Sequence, residues 1–154
     1  MTTTVREETL ADIWDDMQPL LAQHWREIAS YQDIPLSPDR AFYETAERNQ
    51  SLLIVTARRE RELIGYAVFF VTPNRHYSTS VQAVQDVFYV ESTSRGALIG
   101  RRLIRASEQL LRERGCQVVH QHVKLAHPVL GALLAREGYE PMETIYSKRL
   151  DQEK

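Results

Sequence analysis

The chain of 154 residues is long enough for a single domain, 1–154, that buries roughly two-thirds of the surface its unfolded form exposes. With 43% apolar and 26% charged residues it has the composition of a globular protein, and it contains no repeat, linker or low-complexity segment. A net charge of −2, the lack of any apolar run near ~20 residues and a lone Cys116 argue against a nucleic-acid binder, a membrane span and a disulfide framework.

Met1-Thr2-Thr3-Thr4 has neither the basic segment nor the apolar core of a secretory leader, so a cytoplasmic setting is expected. His and Cys are too scattered for a metal site. The charge is uneven. Residues 1–94 hold 8 Lys/Arg against 14 Asp/Glu, a balance of −6, and residues 95–154 hold 11 against 7, a balance of +4. An acidic first part favours a cationic partner there, while solvated faces without functional meaning account for the same asymmetry.

In chain order, Thr3 to Glu8 reads as a short strand. Thr9 caps a helix, with Asp12 three residues on as a capping box, and Leu10, Ile13, Met17, Leu20, Leu21 and Ile28 keep helical spacing. Ser37-Pro38 is expected to start a second helix running to about Asn49. Leu52 to Ala57 and Leu63 to Thr72 read as a hairpin around the charged turn Arg58–Glu62, broken by Pro73-Asn74. Ser80 to Val90 is a third long strand. A helix from Ile99 to about Arg114 stops at Gly115. Gln117 to Val123 reads as a strand, Pro128 opens a short helix ending before Gly138, and Pro141 to Leu150 reads as a last strand. The order β-α-α-β-β-β-α-β-α-β is met economically by a mixed sheet with helices on both faces.

The stretch Gln85 to Arg102 carries the chemistry. A β-branched and aromatic run ends at Phe88-Tyr89-Val90, and Arg95-Gly96-Ala97-Leu98-Ile99-Gly100-Arg101-Arg102 then leads straight into an amphipathic helix. Glycines let the backbone come close to a ligand, and the first N–H groups of a helix lack internal partners, so the pattern reads as a diphosphate cradle. It is not a Walker A loop, because no Gly-Lys-Ser/Thr closes it, and Gly96 and Gly100 do not form the dinucleotide fingerprint.

The loop resembles the coenzyme A loop of the GNAT superfamily of N-acetyltransferases, Arg/Gln-x-x-Gly-x-Gly/Ala after a strand, with Leu98 where that family usually has a glycine. The order of elements and the closing Leu130–Tyr139 segment are similar as well. The resemblance implies an α/β fold with a mixed, mostly antiparallel central sheet. It implies binding of acetyl-CoA through Phe88, Tyr89, Val90 and Arg95 to Arg102, and transfer of the acetyl group to a primary amine by direct attack in a ternary complex. The acceptor would be a small molecule, a protein lysine or an N-terminus, with neither nucleic acid nor membrane as a partner. A homodimer is compatible with the long strands. The alternative is a non-catalytic acyl-CoA-binding or regulatory protein with the same fold.

Acetyl transfer requires loss of a proton from the amine and a donor for the developing oxyanion. Asp86, flanked by apolar residues just before the strand end, is a candidate base, directly or through water; an ordinary strand acid paired with an arginine or at an exposed edge is the other reading. His120, His122 and Lys124 alternate on the expected next strand, which makes His122 the alternative base or part of a polar strand face. His24, Trp25, His76 and Tyr77 lie in segments expected to wall the acceptor pocket, and ordinary packing also suits them. The family's frequent acid, a Tyr in the closing helix, corresponds here to Leu134, and its frequent Asn before that helix to His127. Tyr146 is the candidate substitute acid, with packing as its ordinary role.

Overall fold

In the computed structural model, which describes residues 2–96 and 98–152, a five-stranded sheet separates two hydrophobic cores. The elements are β1 (Thr3–Glu7), α1 (Leu10–Ile28), α2 (Arg40–Arg48), β2 (Leu52–Arg59), β3 (Glu62–Pro73), β4 (Val81–Val90), a 3₁₀ turn at Ser92–Ser94, α3 (Ile99–Glu113), β5 (Val118–His120) and α4 (Val129–Arg136). The strands lie in the order β1-β2-β3-β4-β5, antiparallel except for the β4–β5 pair. The mixed, mostly antiparallel sheet with helices on both faces is therefore present.

β2 shows why the sheet is central. Alternate residues of a strand point to opposite faces. Leu53, Val55 and Ala57 pack with Ile99, Leu103 and Ile104 of α3, whereas Leu52 and Ile54 pack with Ile13 and Met17 of α1. A strand covered on both faces has no polar side to present, so it reads as a continuous apolar run.

The capping box at Thr9 forms as expected. The Thr9 hydroxyl accepts from Asp12 N at 3.3 Å, and Asp12 Oδ2 accepts from Thr9 N at 3.4 Å. The second helix starts later than expected. Asp39 is its N-cap, accepting from Phe42 N at 3.1 Å, and Pro38 stays outside. Arg58 is also not part of a solvated turn. It is 7% exposed and lies within β2, with its guanidinium bonded to Glu8 Oε2 (2.9 Å), Asp16 Oδ2 (2.8 Å) and the Arg61 carbonyl (2.8 Å). A buried guanidinium is tolerated because its N–H fork is matched by two carboxylates and a carbonyl.

The largest departure is at the C-terminal end. β5 stops at His120, and residues 139–149 form no strand. The segment Pro141 to Leu150 lies against the loop after α1 instead. Tyr31 and Ser147 hydroxyls meet at 2.9 Å, and Arg149 Nη1 donates to both carboxylate oxygens of Asp33 at 2.9 Å while the guanidinium covers the Tyr31 ring. These side-chain contacts replace ladder bonds, and Met142, Ile145 and Leu150 are left exposed. No described helix is long and apolar enough to cross a membrane.

One backbone feature bears on stability. Leu98 precedes α3 with φ +61° and is 65% exposed, so it holds a left-handed conformation with little packing in return. This explains physically why a glycine suits that position. Leu98→Gly is expected to stabilise the fold by about 0.5–1 kcal/mol, because relief of roughly 1–2 kcal/mol of strain exceeds the extra entropy of an unfolded glycine. Thermal unfolding should show a rise of about 2 °C, and a lower midpoint would refute the strain account.

Candidate active site

β4 and β5 pair over only three positions, Gln82↔Val118, Ala83↔Val119 and Val84↔His120. Beyond Val84 the strands part. The Gln85 side chain spans the gap, its Oε1 accepting from His122 N at 2.8 Å. From Asp86 to Val90, β4 therefore has a strand neighbour on one side only. The side chains of this segment turn inward. Phe88 and Val90 join the α3 core and Tyr89 the α1 core, so the segment presents its backbone along the free edge. The Val90 carbonyl is engaged by Arg95 Nε at 2.9 Å, which leaves Phe88 as the mid-edge residue.

The free edge runs into the glycine loop. Gly96 has φ +87°, and an added Cβ would meet nothing within 4 Å. α3 begins with neither a side-chain cap nor an acid in its first turn. α1 and α2, by contrast, are capped by their own Thr9 and Asp39. An uncapped helix N-terminus behind a permissive loop has unpartnered N–H groups and a positive dipole end, which suit a phosphate.

The arginines around the loop are bonded within the chain. Arg95 Nη2 donates to both carboxylate oxygens of Glu27 (2.8 and 3.0 Å) and the guanidinium lies over the Tyr89 ring. Arg101 and Arg105 share Glu137, and Arg102 donates to the Thr3 carbonyl at 2.9 Å. Opposite charges within the chain draw them onto the scaffold. Ile99 is buried in the core. Gly100 has a packing role, since a Cβ there would come within 2.9 Å of Leu133 of α4. Ala97 lies outside the described residues.

Asp86 owes its aim to an irregular register. Phe69 faces Gln85 and Val68 faces Val87, so Asp86 is the extra residue of a bulge. A bulge bends the strand and redirects a side chain. The Tyr43 hydroxyl of α2 donates to Asp86 Oδ2 at 2.7 Å. Asp86 and Tyr43 line a cavity of about 20 Å³ together with Met17, Leu21, Tyr66 and Val87. Although the residue as a whole is exposed, these apolar walls desolvate the carboxyl and raise its pKa, while the Tyr43 bond pulls it down.

On the free-edge side, His24 stacks on the Tyr89 ring with centroids 4.8 Å apart. Burial pushes its pKa down to about 4, Glu27 opposes the shift, and Arg95 and Lys124 add to it. Tyr89 continues to α1 through its hydroxyl, 3.1 Å from Glu27 Oε1.

The other expected residues are not assembled with Asp86. His122 is exposed and lies beyond the end of β5, so it does not share a strand face with His120 and Lys124. Tyr146 is 93% exposed on the C-terminal segment. His76 and Tyr77 sit in the β3–β4 turn, where Asn74 Oδ1 accepts both their backbone N–H groups and Tyr77 is 67% exposed. Trp25 is half-buried on α1 and does not line the cavity. Leu134, at the position of the family's tyrosine, is 5% exposed in the α3 core. Tyr43 and Tyr66 are the members that sequence reading missed. Tyr66 leaves one signal, a polar-tipped side chain within an apolar strand. Among the described residues, no group of three or more His, Cys, Asp or Glu could hold a metal ion.

No curated protein sequence matches the chain. Solved structures do match at low identity. A ribosomal-protein-alanine N-acetyltransferase from Brucella melitensis biovar Abortus 2308 is 19% identical with a TM-score of 0.73, the alignment covering 97% of this chain and 99% of that one. A glucosamine-6-phosphate N-acetyltransferase from Arabidopsis thaliana is 14% identical with a TM-score of 0.74, covering 98% and 100%. A predicted acetyltransferase from Clostridium acetobutylicum, solved with acetyl-CoA, is 16% identical with a TM-score of 0.72, covering 97% of each chain. These similarities place the sheet and its helices in one fold group. The model of the Acetyltransferase (GNAT) family matches residues 12–139, and the chain belongs to that family.

Proposed function

We propose that the protein is an acetyl-CoA-dependent N-acetyltransferase, one catalytic domain that moves an acetyl group to a primary amine by direct attack in a ternary complex. The observation that carries this reading is the placement of Asp86, a partly desolvated carboxylate aimed by a bulge at the point where β4 becomes free of β5. Family membership and the acetyl-CoA complex of the Clostridium neighbour support the cofactor.

The residues present fit that cofactor. The permissive Gly96 and the uncapped start of α3 would hold the diphosphate, and the free edge at Phe88 would bond the pantetheine arm. Bound acetyl-CoA would supply an activated acyl group whose thiolate, with a thiol pKa near ~8.5, leaves without a protein acid. Asp86 takes the proton from the acceptor ammonium, directly or through water, so that the amine attacks as the free base. A covalent enzyme route has no support in Cys116, whose thiol is raised by burial and donates to the Val118 carbonyl at 3.1 Å.

The test is free-thiol release from acetyl-CoA against a panel of amines, with coenzyme A binding measured separately by thermal shift. Coenzyme A at about 100 times its dissociation constant should stabilise the fold by roughly 2.7 kcal/mol; an unchanged midpoint at millimolar ligand argues against the cradle. Asp86→Asn should lower turnover by a factor within ~10–10⁴ and leave coenzyme A binding near wild type. The working form of Asp86 is ionised and its pKa is raised, so the wild-type rate should fall with pH along an acid limb above the ordinary value of about 4. Full activity of Asp86→Asn from pH 6 to 9 would remove Asp86 as the base, and full activity of His122→Gln as well would assign deprotonation to solvent.

His24 generates a separate expectation for stability. Its folded pKa of about 4 lies below the unfolded value of 6.5, so as pH falls the unfolded chain takes the proton first. Stability should be fully present above pH ~6.5, decline between 6.5 and 4, and gain no further loss from this group below that window. His24→Gln should flatten the decline in melting temperature measured from pH 7.5 to 4. An unchanged slope would mean that His24 is not held neutral.

A further inference from the structure

We propose that Tyr43 and Tyr66 are positioning residues for Asp86, Tyr43 through its direct hydrogen bond and Tyr66 through a single water held in the cavity they share. This inference rests on the reading of Asp86 as the base. It adds the means by which the carboxylate is oriented and kept ionised.

Three observations carry it. The Tyr43 hydroxyl donates to Asp86 Oδ2 at 2.7 Å, fixing one carboxylate oxygen from α2. Tyr66 of β3 is 0% exposed, and its hydroxyl has no hydrogen-bond partner among the described residues. Buried hydroxyls rarely stay unpaired, because the lost hydration is not recovered. Tyr66 and Asp86 line the same cavity of about 20 Å³, and a water needs roughly 10–15 Å³ of such space. A water there has the Tyr66 hydroxyl and the Asp86 carboxylate as polar partners. The Tyr43 hydroxyl, already donating to Asp86, also lines the cavity, and the remaining walls from Met17, Leu21, Val68 and Val87 are apolar.

The surroundings are otherwise simple. α1 contributes Leu10, Met17 and Leu21 to the cavity, all apolar. α2 contributes Tyr43 and, at its cap, Asp39, whose charge acts on the Tyr43 hydroxyl. From the sheet, the titratable groups near Tyr66 are Asp86 and Tyr89 of β4. No cation faces Asp86 from these elements, so the tyrosine hydroxyls are the groups that favour its charged form. The base is thereby held ionised without a lysine or arginine, which would repel the incoming ammonium.

The experiment is a pH titration of the Asp86 side-chain carboxyl by ¹³C NMR on the full chain, its signal assigned by loss in Asp86→Asn. Wild type, Tyr43→Phe and Tyr66→Phe are compared, since both substitutions keep the ring. Tyr43→Phe should raise the Asp86 pKa by about one unit, because a hydrogen bond to the charged form is lost. Tyr66→Phe should raise it by less, and should remove slow-exchanging water signals near Val68 and Val87. A wild-type titration in Tyr43→Phe overturns the direct role, and a wild-type titration in Tyr66→Phe overturns the water-mediated one. A merely structural effect would lower melting temperature without moving the titration, which also counts against the proposal. Failure of the base reading is distinguished by turnover. Full activity of Asp86→Asn would remove the catalytic meaning of the shifts, whereas impaired Asp86→Asn with unshifted tyrosine variants would remove only the positioning role.

Discussion

The arrangement of the site depends on how briefly β4 and β5 pair. Three parallel positions, ending at Val84↔His120, are enough to align the strands, and the chain after His120 then leaves the ladder. A longer pairing would satisfy the outward backbone groups of β4 and leave nothing for a ligand to bond. The bulge at Asp86 belongs to the β3–β4 register, falls two residues beyond the last β4–β5 pair and brings a carboxylate to Tyr43 of α2. A free backbone edge and a redirected carboxylate thus lie within a few residues of each other on one strand.

Rigidity elsewhere allows this departure. β2 and β3 are covered on both faces, and their antiparallel ladder holds β4 in place. Arg58 joins the start of α1 to the β2–β3 turn through Glu8, Asp16 and the Arg61 carbonyl. Removing one partner of such a network leaves an uncompensated buried charge, so it acts as a specific lock on the far end of the sheet. The arginines near α3 act similarly. Arg101, Arg102 and Arg105 tie α3 to α4 and β1, and Arg95 ties the loop to α1. Their charge still adds to the local field, but their hydrogen bonds belong to the scaffold.

The features that are costly to the fold gather near the site. Leu98 holds a left-handed backbone, Asp86 is partly desolvated and Tyr66 carries a buried hydroxyl without a hydrogen-bond partner among the described residues. Each would be disfavoured in a segment that served packing alone. Proteins tend to retain local strain where geometry is constrained by a ligand or reaction. The C-terminal segment follows another logic, being fixed to the α1–α2 loop by Arg149 and Ser147 with its apolar residues outward.

The amino-acid order by itself determined most elements, because strands and helices with strong periodicity declare their faces locally. It also determined the loop between Val90 and α3, where glycine spacing and the absence of a cap are properties of neighbouring residues. The charged run at Arg58 was misleading, since only the fold brings Glu8 and Asp16 to it and makes burial tolerable. Likewise the residues 117–123 and 141–150 have the composition of strands, yet a strand exists only where a partner edge is presented, and tertiary contacts drew both segments away after His120. Asp86 was visible as an isolated acid, but its partner Tyr43 lies 43 residues away, and the bulge that aims it depends on the register with β3. Local patterns specify local structure; which groups meet across the sheet, and which are left unpaired, was decided only by the packed chain.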